Sequence, residues 1–454
     1  FKQKTAYEIM PSLVGSEMCI RDREKGLLIK QENIEQVVGT CWRCHEPIEY
    51  VVMEQWFIKL LDFKQAWLEK AREIKWFPEY YLKRYEDWIK GLKWDWCISR
   101  QRFYGVPIPV WYCDSCKKII VATREELPVD PLEKEKYCPR CKAKLRPEQD
   151  VLDTWFTSSL TPLIVTGWPK GCNLIFSLRP QAHDIIRTWA FYTIVKFHFH
   201  FDSLPWNTIM ISGHGLDKYG KAMHKSLGNV IWAREIIARY GADAIRYWAT
   251  TAALGNDLSF SEKELHRAHV VMNKIWNASR FLWLNQPKQI ELNLSKDLDL
   301  EDKWILAELK KLLVEYHKAF QVYQVSKARQ LVETFFKHIF CDYYLEFIKP
   351  RIRYDHKALT TAYVVLLELI KLFAPFLPFI TEAIYQRLFR DIIKEKSIHL
   401  LKFLMPEEIE KFITDFNEKK ATLLVEIVKA IRAIRRVHQL AFSKPLKLKI
   451  SHPE

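Results

Sequence analysis

Three lysines, a histidine and a serine share one short polar segment from Gly215 to Ile231, GLDKYGKAMHKSLGNVI, which we name the lysine loop. Glycines lie within and beside it, and apolar runs precede and follow it. Primary amines on a flexible loop can close over a triphosphate and balance the charge that develops as pyrophosphate leaves. Lysine-rich surface turns are common, however, so the spacing alone favours a solvated turn. The sequence around the loop has to decide between these two interpretations.

Cysteine spacing predicts a metal site elsewhere in the chain. Two Cys-x2-Cys pairs, Cys113 with Cys116 and Cys138 with Cys141, are separated by 21 residues, close to the spacing of a four-thiolate zinc ribbon. The insert that carries them, residues 112–147, has too few apolar residues to fold without a metal, which disfavours four unligated surface thiols. The predicted role is structural, because four cysteines leave no open position for a substrate.

A third pair, Cys41 and Cys44, supplies only half of a zinc site. His45 is a poor third ligand because it adjoins Cys44. Two interpretations remain, a vestigial pair or a pair whose partner lies in sequence upstream of this chain, and we favour the second. Six of the ten cysteines are in Cys-x2-Cys pairs, a usage typical of zinc binding in a reducing compartment.

The elements that must position the lysine loop alternate between strands and helices. NTIMISG is predicted to be a buried strand, LDFKQAWLEKAREI a helix, and AREIIARYGADAIRYWATTAA two helices broken at Gly241. This alternation predicts a parallel α/β sheet that binds ligands at the carboxyl ends of its strands. From about Leu265 onward helical periodicity dominates and prolines mark helix boundaries, which predicts an all-α domain.

Composition indicates a packed globular protein with an anionic partner. Hydrophobic residues make up 49% of the 454 residues, and 70 basic against 55 acidic side chains leave a formal net charge of +15. That excess favours a nucleic acid or nucleotide partner. No apolar run is long enough to span a bilayer and no secretory signal pattern is found, so a cytoplasmic protein without a membrane partner is predicted.

Both ends of the chain differ from the rest. Residues Pro11 to Arg23, PSLVGSEMCIRDR, have neither helical nor strand periodicity and resemble a translated sequencing adapter, so 1–23 is expected to be an artefact. The last residues, KPLKLKISHPE, alternate like a strand and stop abruptly. Residues 441–454 are therefore expected to begin a further, truncated module.

Several segments resemble class I aminoacyl-tRNA synthetases. Within the lysine loop, MHKSLGNV is similar to the family's Lys-Met-Ser-Lys-Ser signature and the Leu-Gly-Asn that follows it. WDWCISRQRFYGVPIPVWYC resembles the segment that leads into a zinc ribbon in the valine, isoleucine and leucine enzymes, whereas DVLDTWFTSSL and RPQAHDIIRTWAFYTIV are similar to the valine enzymes. YGADAIRYWA, CDYYLEFIKPRI and APFLPFITEAIY resemble the stem and the helical anticodon-binding domain. The resemblance extends from about Leu27 to His438.

The resemblance implies a domain order. Residues 24–60 would end the inserted editing region, and 61–264 would form the second half of a Rossmann-like catalytic domain with its zinc ribbon at 112–147. Residues 265–440 would form the anticodon-binding bundle. The family's His-x-Gly-His signature and most of the editing domain are missing, so the chain is expected to be the C-terminal part of a synthetase, inactive without its N-terminal part.

The resemblance also implies site residues. Lys225 would contact the ATP phosphates during adenylate formation, and Asp184 would hydrogen-bond the adenosine ribose. For Asp184 the alternative is a helix N-cap, and for Trp155 it is core packing. The implied ATP-binding residues are Lys221, Lys225, Ser226, His183, Asp184 and His214, and the implied amino-acid pocket contains Trp155 and Ile185.

Basic residues near the end of the bundle are candidate tRNA contacts. Lys429, Arg432 and Arg436 recur at three- and four-residue spacing, so they share one helix face. Such a face suits the phosphates of an anticodon stem, and a solvated face is the equally weighted alternative.

The lysine loop departs from the family signature. Ala222 stands in place of its first lysine and His224 in place of its first serine, while Lys221 lies one position early and can substitute through its long side chain. Ala182 replaces the glycine usual before the His-Asp pair. These changes are expected to weaken ATP handling, to be tolerated, or to reflect a relaxed sequence.

The implied activity is that of a valine–tRNA ligase, which forms valyl-adenylate from valine and ATP and transfers the valyl group to tRNA(Val). The implied cofactors are Mg²⁺ with ATP and structural Zn²⁺, and a monomer is expected. The alternatives are a non-catalytic tRNA-binding remnant, an isoleucyl-tRNA synthetase, and an unrelated zinc-ribbon nucleic-acid binder, against which the adenylation-type segments argue.

Overall fold

A computed structural model describes residues 21, 23–27, 29–30, 35, 37–41, 46–48, 53–171, 175–286, 290–441, 444–445, 447 and 449. The chain divides into two compact units, 1–54 and 55–454. In the first unit Thr40 and Pro47 form an antiparallel bridge, and the backbone N–H of Cys41 donates to the Glu46 carbonyl at 2.8 Å. Cys41 therefore lies next to this bridge, while Cys44 falls outside the described residues.

The second unit contains all of the named strands and helices. Its strands are β1 (Phe57–Ile58), β2 (Lys75–Phe77), β3 (Trp96–Cys97), β4 (Ser99–Arg100), β5 (Val110–Tyr112), β6 (Ile119–Val121), β7 (Arg146–Pro147), β8 (Val151–Leu152), β9 (Arg179–Ala182), β10 (Thr208–Ser212), β11 (Gly215–Leu216) and β12 (Leu258–Ser259). Its α-helices are α1 (Lys64–Glu73), α2 (Tyr80–Gly91), α3 (Thr154–Ser158), α4 (Thr161–Val165), α5 (Phe191–Phe201), α6 (Ala233–Tyr240), α7 (Ala242–Ala249), α8 (Glu262–Asn285), α9 (Leu300–Gln321), α10 (Val325–Phe335), α11 (Leu345–Ile348), α12 (His356–Phe373), α13 (Pro378–Leu388), α14 (Arg390–Ile393), α15 (Pro406–Glu410) and α16 (Glu418–Val437). Two π-helical segments, Ile186–Ala190 and Phe336–Tyr344, run into α5 and α11, and short 3-10 helices lie at Leu61–Phe63, Arg124–Glu126, His183–Ile185, Lys225–Leu227 and Ile398–Leu400.

A parallel sheet lies at the centre of residues 61–264, the part of the chain that is expected to be catalytic. Its order is β2–β10–β9, and Ile209 of β10 pairs with both Trp76 and Arg179. Ile209 and Ile211 are fully buried, as the apolar strand NTIMISG requires. The predicted parallel sheet and central strand are confirmed. All three strands run the same way, so their carboxyl ends meet at one edge, where ligands of α/β sheets bind.

Helices predicted from apolar periodicity form where expected. α1 buries Trp67, Leu68 and Ala71 at three- and four-residue spacing. α6 and α7 are separated at Gly241, whose φ of +80° ends one helix and begins the next. Both predictions are confirmed.

The helical bundle follows from α8 to α16. α12 is its central helix, since 13 of its 18 residues are buried. Asp355 caps its N-terminus by accepting hydrogen bonds from the backbone N–H groups of Lys357 at 2.9 Å and Ala358 at 3.1 Å. Every described helix is too short or too polar to cross a bilayer. The predicted all-α region is confirmed, whereas the predicted terminal strand lies almost entirely outside the described residues.

A buried carboxylate joins the bundle to the helices before it. Glu333 of α10 is 3% exposed and accepts hydrogen bonds from Arg329 at 2.6 Å and Lys337 at 2.6 Å. It also accepts from Tyr247 of α7 at 2.6 Å and Arg267 of α8 at 3.0 Å. Burial alone would raise the pKa of Glu333, but the hydrogen bonds from Lys337 and Tyr247 lower it to about 2.

Replacing Glu333 with glutamine is expected to destabilise the fold by about 2 kcal/mol at pH 7, because charge-assisted hydrogen bonds become neutral ones. The pKa of Glu333 is lower in the folded than in the unfolded chain. Its contribution is therefore present above about pH 4.5 and is lost as the pH falls from there towards 2. In urea denaturation, the difference in the free energy of unfolding between wild type and variant should decrease as the pH falls across that range. The control Glu346→Gln, in an exposed ion pair, should change stability by less than about 0.5 kcal/mol.

Candidate functional site

Four thiols converge beside β5. The Sγ atoms of Cys113, Cys116, Cys138 and Cys141 all lie within 4.8 Å of one another. The pairs Cys113–Cys141 and Cys116–Cys138 are 3.3 Å and 3.5 Å apart, too far for a disulfide at about 2.05 Å. Tetrahedral zinc with Zn–S bonds of about 2.3 Å places its sulfurs about 3.8 Å apart, so the donor set fits this metal. The predicted four-cysteine cluster is confirmed.

The two Cys-x2-Cys pairs form two separate turns of the same type. The residue after each pair, Lys117 or Lys142, has a left-handed conformation with φ of +57° or +61°. The backbone N–H of Cys141 is the main cause that lowers the pKa of the Cys138 thiol to about 6. A lower pKa favours the thiolate, which is the form that binds a metal.

The ribbon around the cluster has a small core. Its described buried members are Trp111, Cys113, Cys138 and Leu145, and β6, β5 and β7 form a three-stranded antiparallel sheet over it. Two of the four buried residues are themselves cluster cysteines. So little apolar burial leaves the fold of the ribbon dependent on the thiol cluster.

The lysine loop is held in shape by two polar side chains. Asp217 is buried, and its carboxylate accepts hydrogen bonds from the backbone N–H groups of Tyr219 at 2.9 Å and Lys221 at 2.8 Å. Asn229 donates to Asp217 at 2.9 Å and to the Ala222 carbonyl at 3.0 Å. Hydrogen bonds from the backbone N–H of Lys221 and from the side-chain amide of Asn229 lower the pKa of Asp217 below its usual value. The loop is thus an ordered hairpin rather than an unstructured turn.

Two lysine amines extend from this hairpin into solvent. Lys225 begins a 3-10 helix, and its Nζ lies 5.6 Å from the centre of the Trp232 ring, within cation–π range. Lys221 is also exposed, and Asp217 fixes its backbone. Ser226 occupies the second position of the same 3-10 helix. The three residues of the predicted phosphate site therefore share one loop.

The predicted nucleotide residues follow the parallel strands at their carboxyl edge. His183, Asp184 and Ile185 form the 3-10 helix after β9, and His214 follows β10. The side chain of Asp184 is exposed. The N-cap of this helix is Ala182, without a side-chain hydrogen bond, so the alternative of an N-cap role for Asp184 is wrong.

Trp155 lies in α3, directly after the buried Asp153. The Asp153 carboxylate accepts from the Trp155 backbone N–H at 3.3 Å, from Trp96 Nε1 at 3.1 Å, and pairs with Arg100 at 3.3 Å. The indole of Trp155 is half-buried and packs on the buried core around the parallel sheet. Asp153 therefore positions Trp155, and the pocket-wall role of its ring stays a prediction.

The three basic residues of α16 do not play equal roles. They line one cavity of about 660 Å³ with the π-helical segment 336–344. Arg432 donates to the Asp342 carbonyl at 2.6 Å and lies 4.7 Å from the Tyr343 ring centre, so it ties α16 to the bundle. Among the described residues, the side chains of Lys429 and Arg436 have no hydrogen-bond or ion-pair partner. Both are exposed and free to contact phosphate.

A second candidate nucleic-acid surface lies between α8 and α13. We name it the Arg–Trp groove: a cavity of about 520 Å³ lined by Trp276, Arg280, Trp283 and Arg387 with apolar neighbours. Trp276 and Trp283 are 38% and 51% exposed, and Arg387 lies 5.4 Å from the Trp276 ring centre. Exposed aromatic faces beside guanidinium groups can stack unpaired bases and hold phosphates.

Comparison with known families places this geometry. Residues 7–261 match the family of tRNA synthetases class I (I, L, M and V), and residues 302–450 match the anticodon-binding domain of tRNA ligases. The first match alone spans more than half of the chain. The chain belongs to the class I tRNA synthetases.

Relatives of this synthetase carry one name. It is 41% identical to the valine–tRNA ligase of Thermoplasma acidophilum, 40% to that of Methanocaldococcus jannaschii and 38% to that of Rickettsia canadensis. The alignments cover 94%, 97% and 94% of the synthetase chain, and 55%, 51% and 55% of the relatives. The chain thus spans about half the length of these relatives.

Two solved structures share the fold of the synthetase at low sequence identity. A methionyl-tRNA synthetase of Mycobacterium tuberculosis, in complex with methionyl-adenylate, matches with a TM-score of 0.57 and 18% identity over 80% of this chain and 69% of that chain. A LeuRS–tRNA–LeuAMS complex from Agrobacterium radiobacter K84 matches with a TM-score of 0.57 and 18% identity over 70% of this chain and 43% of that chain. These matches agree with the predicted fold class, a parallel α/β part followed by a helical bundle.

Sequence reasoning missed the residues that shape the site of the synthetase. Asp217 and Asn229 were not singled out, although Asn229 belongs to the Leu-Gly-Asn that resembles the family. A buried aspartate at the start of a lysine-rich turn was the available signal. The Arg–Trp groove was also missed, although Trp276, Arg280 and Trp283 recur at helical spacing.

Replacing Asn229 with alanine is expected to lower the free energy of local unfolding of the lysine loop by about 2 kcal/mol. The reason is that three hydrogen bonds, with Asp217, Ala222 and His224, are lost. Tryptic cleavage within the loop should become at least about tenfold faster. The control Leu227→Ala removes a side chain that is 57% exposed on the same loop and should leave the cleavage rate within about twofold. Equal rates for Asn229→Ala and wild type would contradict the assigned hydrogen bonds.

Proposed function

We propose that this synthetase chain works in a valine–tRNA ligase, which activates valine with ATP and transfers it to tRNA(Val). The observation that carries the proposal is the lysine loop, which is ordered by Asp217 and lies after β10 at the ligand-binding edge of the parallel sheet. Identities of 38–41% to valine–tRNA ligases across more than nine-tenths of the chain support valine as the amino acid.

The reaction has two steps. An oxygen of the valine carboxylate attacks the α-phosphorus of ATP, the bond to the β-phosphate breaks, and pyrophosphate leaves with the bonding electrons. A terminal ribose hydroxyl of the tRNA then attacks the carbonyl carbon of valyl-adenylate, loses its proton, and displaces AMP. Mg²⁺ accompanies the ATP. Catalysis of this kind rests on positioning and charge stabilisation.

The residues of this chain act on the nucleotide. The exposed amines of Lys225 and Lys221 balance the negative charge that develops on the leaving pyrophosphate. Asp184 is exposed at the sheet edge and hydrogen-bonds the ribose, and His183 and His214 contribute to the same ATP site. Ser226 lies beside the lysines, and Trp155 with Ile185 contributes to the valine pocket.

The four-cysteine cluster holds zinc in a structural role. The four sulfurs would fill all four positions of a tetrahedral zinc ion and would leave no position for a substrate. The zinc orders the ribbon at 112–147. Cys41 belongs to a second, incomplete site whose described part lies next to the bridge between Thr40 and Pro47.

Transfer RNA binds along the helical bundle. The exposed Lys429 and Arg436 meet backbone phosphates, whereas Arg432 holds their helix in place. The Arg–Trp groove takes an unpaired base against Trp276, with Arg280 and Arg387 beside it.

Replacing Trp276 with alanine is expected to weaken tRNA binding by about 1–3 kcal/mol, the contribution of one stacked base. Fluorescence titration of the chain with a tRNA(Val) transcript at fixed salt measures this change. Trp94→Ala, which removes a tryptophan 72% exposed in the catalytic part, serves as a matched control and should change the affinity by less than about twofold. An unchanged affinity for Trp276→Ala would remove the groove from the RNA-binding surface.

Amino-acid-dependent exchange of labelled pyrophosphate into ATP tests the proposed function in the full-length protein in which this chain occurs. Valine should support exchange at least about tenfold better than isoleucine at equal concentration. A preference for isoleucine would assign the enzyme to that amino acid instead. If no amino acid supports exchange while tRNA binding is intact, the protein is a non-catalytic tRNA-binding protein. The altered signature residues Ala222 and His224 are the observation that favours this alternative.

A further inference from the structure

The ring of His183 is held from two sides, by α2 and by the segment that carries Asp257. Its Nε2 lies 2.6 Å from Oδ1 of Asp257, and its Nδ1 lies 3.3 Å from Nη1 of Arg84 in α2. The ring of Tyr81, one turn before Arg84, stacks on it with a centroid distance of 5.9 Å and an angle of 14°. His183 lies directly after β9, so these contacts fix a side chain at the ligand-binding edge of the sheet.

These contacts specify one tautomer of His183. A guanidinium group only donates hydrogen bonds, so Nδ1 must accept from Arg84 and carries no proton. Nε2 then carries the proton and donates it to the carboxylate of Asp257. The contacts with Arg84 and Asp257 together therefore set the protonation pattern of the ring, and the shorter one, to Asp257, fixes its direction.

The same carboxylate oxygen also holds the base of the lysine loop. Oδ1 of Asp257 accepts a hydrogen bond from the backbone N–H of His214 at 2.8 Å. The backbone N–H of Leu258 donates to the His214 carbonyl at 2.9 Å, and β11 pairs in parallel with β12. The hydrogen bonds from His214 and His183 keep the pKa of Asp257 below its usual value, so it is a carboxylate at neutral pH.

Close backbone packing leaves little freedom in this arrangement. A Cβ atom on Gly213 would lie 1.7 Å from the carbonyl oxygen of Asn256, so the two chain segments touch directly. The Tyr81 hydroxyl donates to the Gly255 carbonyl at 2.7 Å and anchors the other end of the segment that carries Asp257. Residues 255–258 are therefore clamped between α2 and the strand that leads into the lysine loop.

We propose that Asp257 is a positioning residue for ATP. It sets the orientation of His183 relative to the base of the lysine loop, so that the nucleoside and the phosphates of ATP are bound in the correct relative position. This inference rests on the proposed function. Asp257 does not have to touch ATP, because it acts through His183 on one side and through the His214 backbone on the other. Trp155 of the proposed valine pocket takes part in neither contact.

The kinetic test uses the full-length protein and the pyrophosphate exchange reaction. Asp257→Ala is expected to raise the KM for ATP at least about tenfold while the KM for valine stays within about twofold. Asp257→Asn should recover most of the loss, because its amide oxygen can accept both hydrogen bonds. If Asp257→Ala does not fold, Asp257→Ser carries the same test, since its hydroxyl is too short to reach both donors.

A matched control separates positioning from general stability. Asp243 likewise accepts two hydrogen bonds, from the backbone N–H groups of Phe379 at 3.1 Å and Ile380 at 2.8 Å, and it is buried where α7 meets α13. Asp243→Ala should lower the melting temperature without changing the KM for ATP. An ATP KM that is unchanged in Asp257→Ala, or that rises equally in both alanine variants, would overturn the proposal.

A spectroscopic measurement tests the positioning role of Asp257 independently of the proposed function. In the 454-residue chain labelled with ¹⁵N-histidine, wild-type His183 should show the Nε2-protonated tautomer, and Asp257→Ala should shift it towards a mixture of tautomers. Absence of valine-dependent exchange in the wild type would refute the proposed function. An unaltered His183 spectrum in Asp257→Ala would refute the positioning role.

Discussion

Replacing Lys225 with alanine is expected to lower valine-dependent pyrophosphate exchange by about 10²–10³-fold, the range typical for loss of one group that stabilises developing charge in a transition state. Lys225 is exposed at the start of the 3-10 helix in the lysine loop, and its amine rests over Trp232. The negative charge on pyrophosphate grows as the bond breaks, so the amine stabilises the transition state more than bound ATP. The loss should therefore appear in kcat, with a smaller change in the KM for ATP.

The chain offers a matched control on the same loop. Lys218 is exposed, and its amine lies 4.9 Å from the Tyr219 ring centre. Lys218→Ala removes the same charge from the loop but not from the signature position, and exchange should stay within about threefold. Lys225→Arg keeps a positive charge at a different geometry and should retain part of the activity. Undiminished exchange in Lys225→Ala would refute the role of this residue.

The two substitutions in the family signature change how this result is interpreted. Ala222 carries no amine, and its carbonyl accepts a hydrogen bond from Asn229 instead. Lys221 is the nearest preceding lysine, and its backbone is fixed by Asp217. If Lys221 supplies the missing charge, Lys221→Ala should also impair exchange, and the restored signature in Ala222→Lys should relieve that defect.

The fold was predictable where local pattern dominates. Apolar residues at helical spacing specified α1, a continuous apolar run specified β10, and Gly241 specified the break between α6 and α7. The four-cysteine cluster was predictable for a similar reason, because two identical short turns bring their sulfurs together at a spacing that a metal imposes. Each of these features is encoded within a few residues of sequence.

Features that depend on distant contacts were not predictable. Asp257 meets His183, which is 74 positions away, and neither residue type nor spacing indicates that pairing. Arg432 has the spacing of a phosphate contact, yet the position of Asp342 engages it within the bundle. The Arg–Trp groove needs Arg387 of α13 to lie beside Trp276 of α8, which only the packing of the bundle decides. The role of a polar side chain depends on its neighbours in the tertiary structure, and these neighbours are far away in the sequence.

Replacing Cys138 with serine is expected to abolish stable zinc binding and to unfold the ribbon at 112–147. Structural zinc contributes on the order of 10 kcal/mol to small domains, far more than a core with four buried residues can supply. The zinc content of the purified chain, measured by elemental analysis, should fall from about one zinc per molecule to nearly none. Limited proteolysis should then cut between β5 and β7, where wild type resists. A zinc chelator should produce the same cleavage pattern in the wild-type chain.

Cys341 provides the control, because it is a half-buried thiol in the helical bundle, remote in sequence from the cluster. Cys341→Ser should keep both the zinc and the protease resistance of the ribbon. The distances of 3.3 Å and 3.5 Å between paired sulfurs also allow a competing outcome, since small rearrangements would let disulfides replace the metal. A metal-free wild-type ribbon that resists protease until dithiothreitol is added would favour disulfides over zinc. Because the same four sulfurs serve both states, the zinc content of the chain purified under reducing conditions separates them, since a reductant breaks disulfides but leaves zinc thiolates intact.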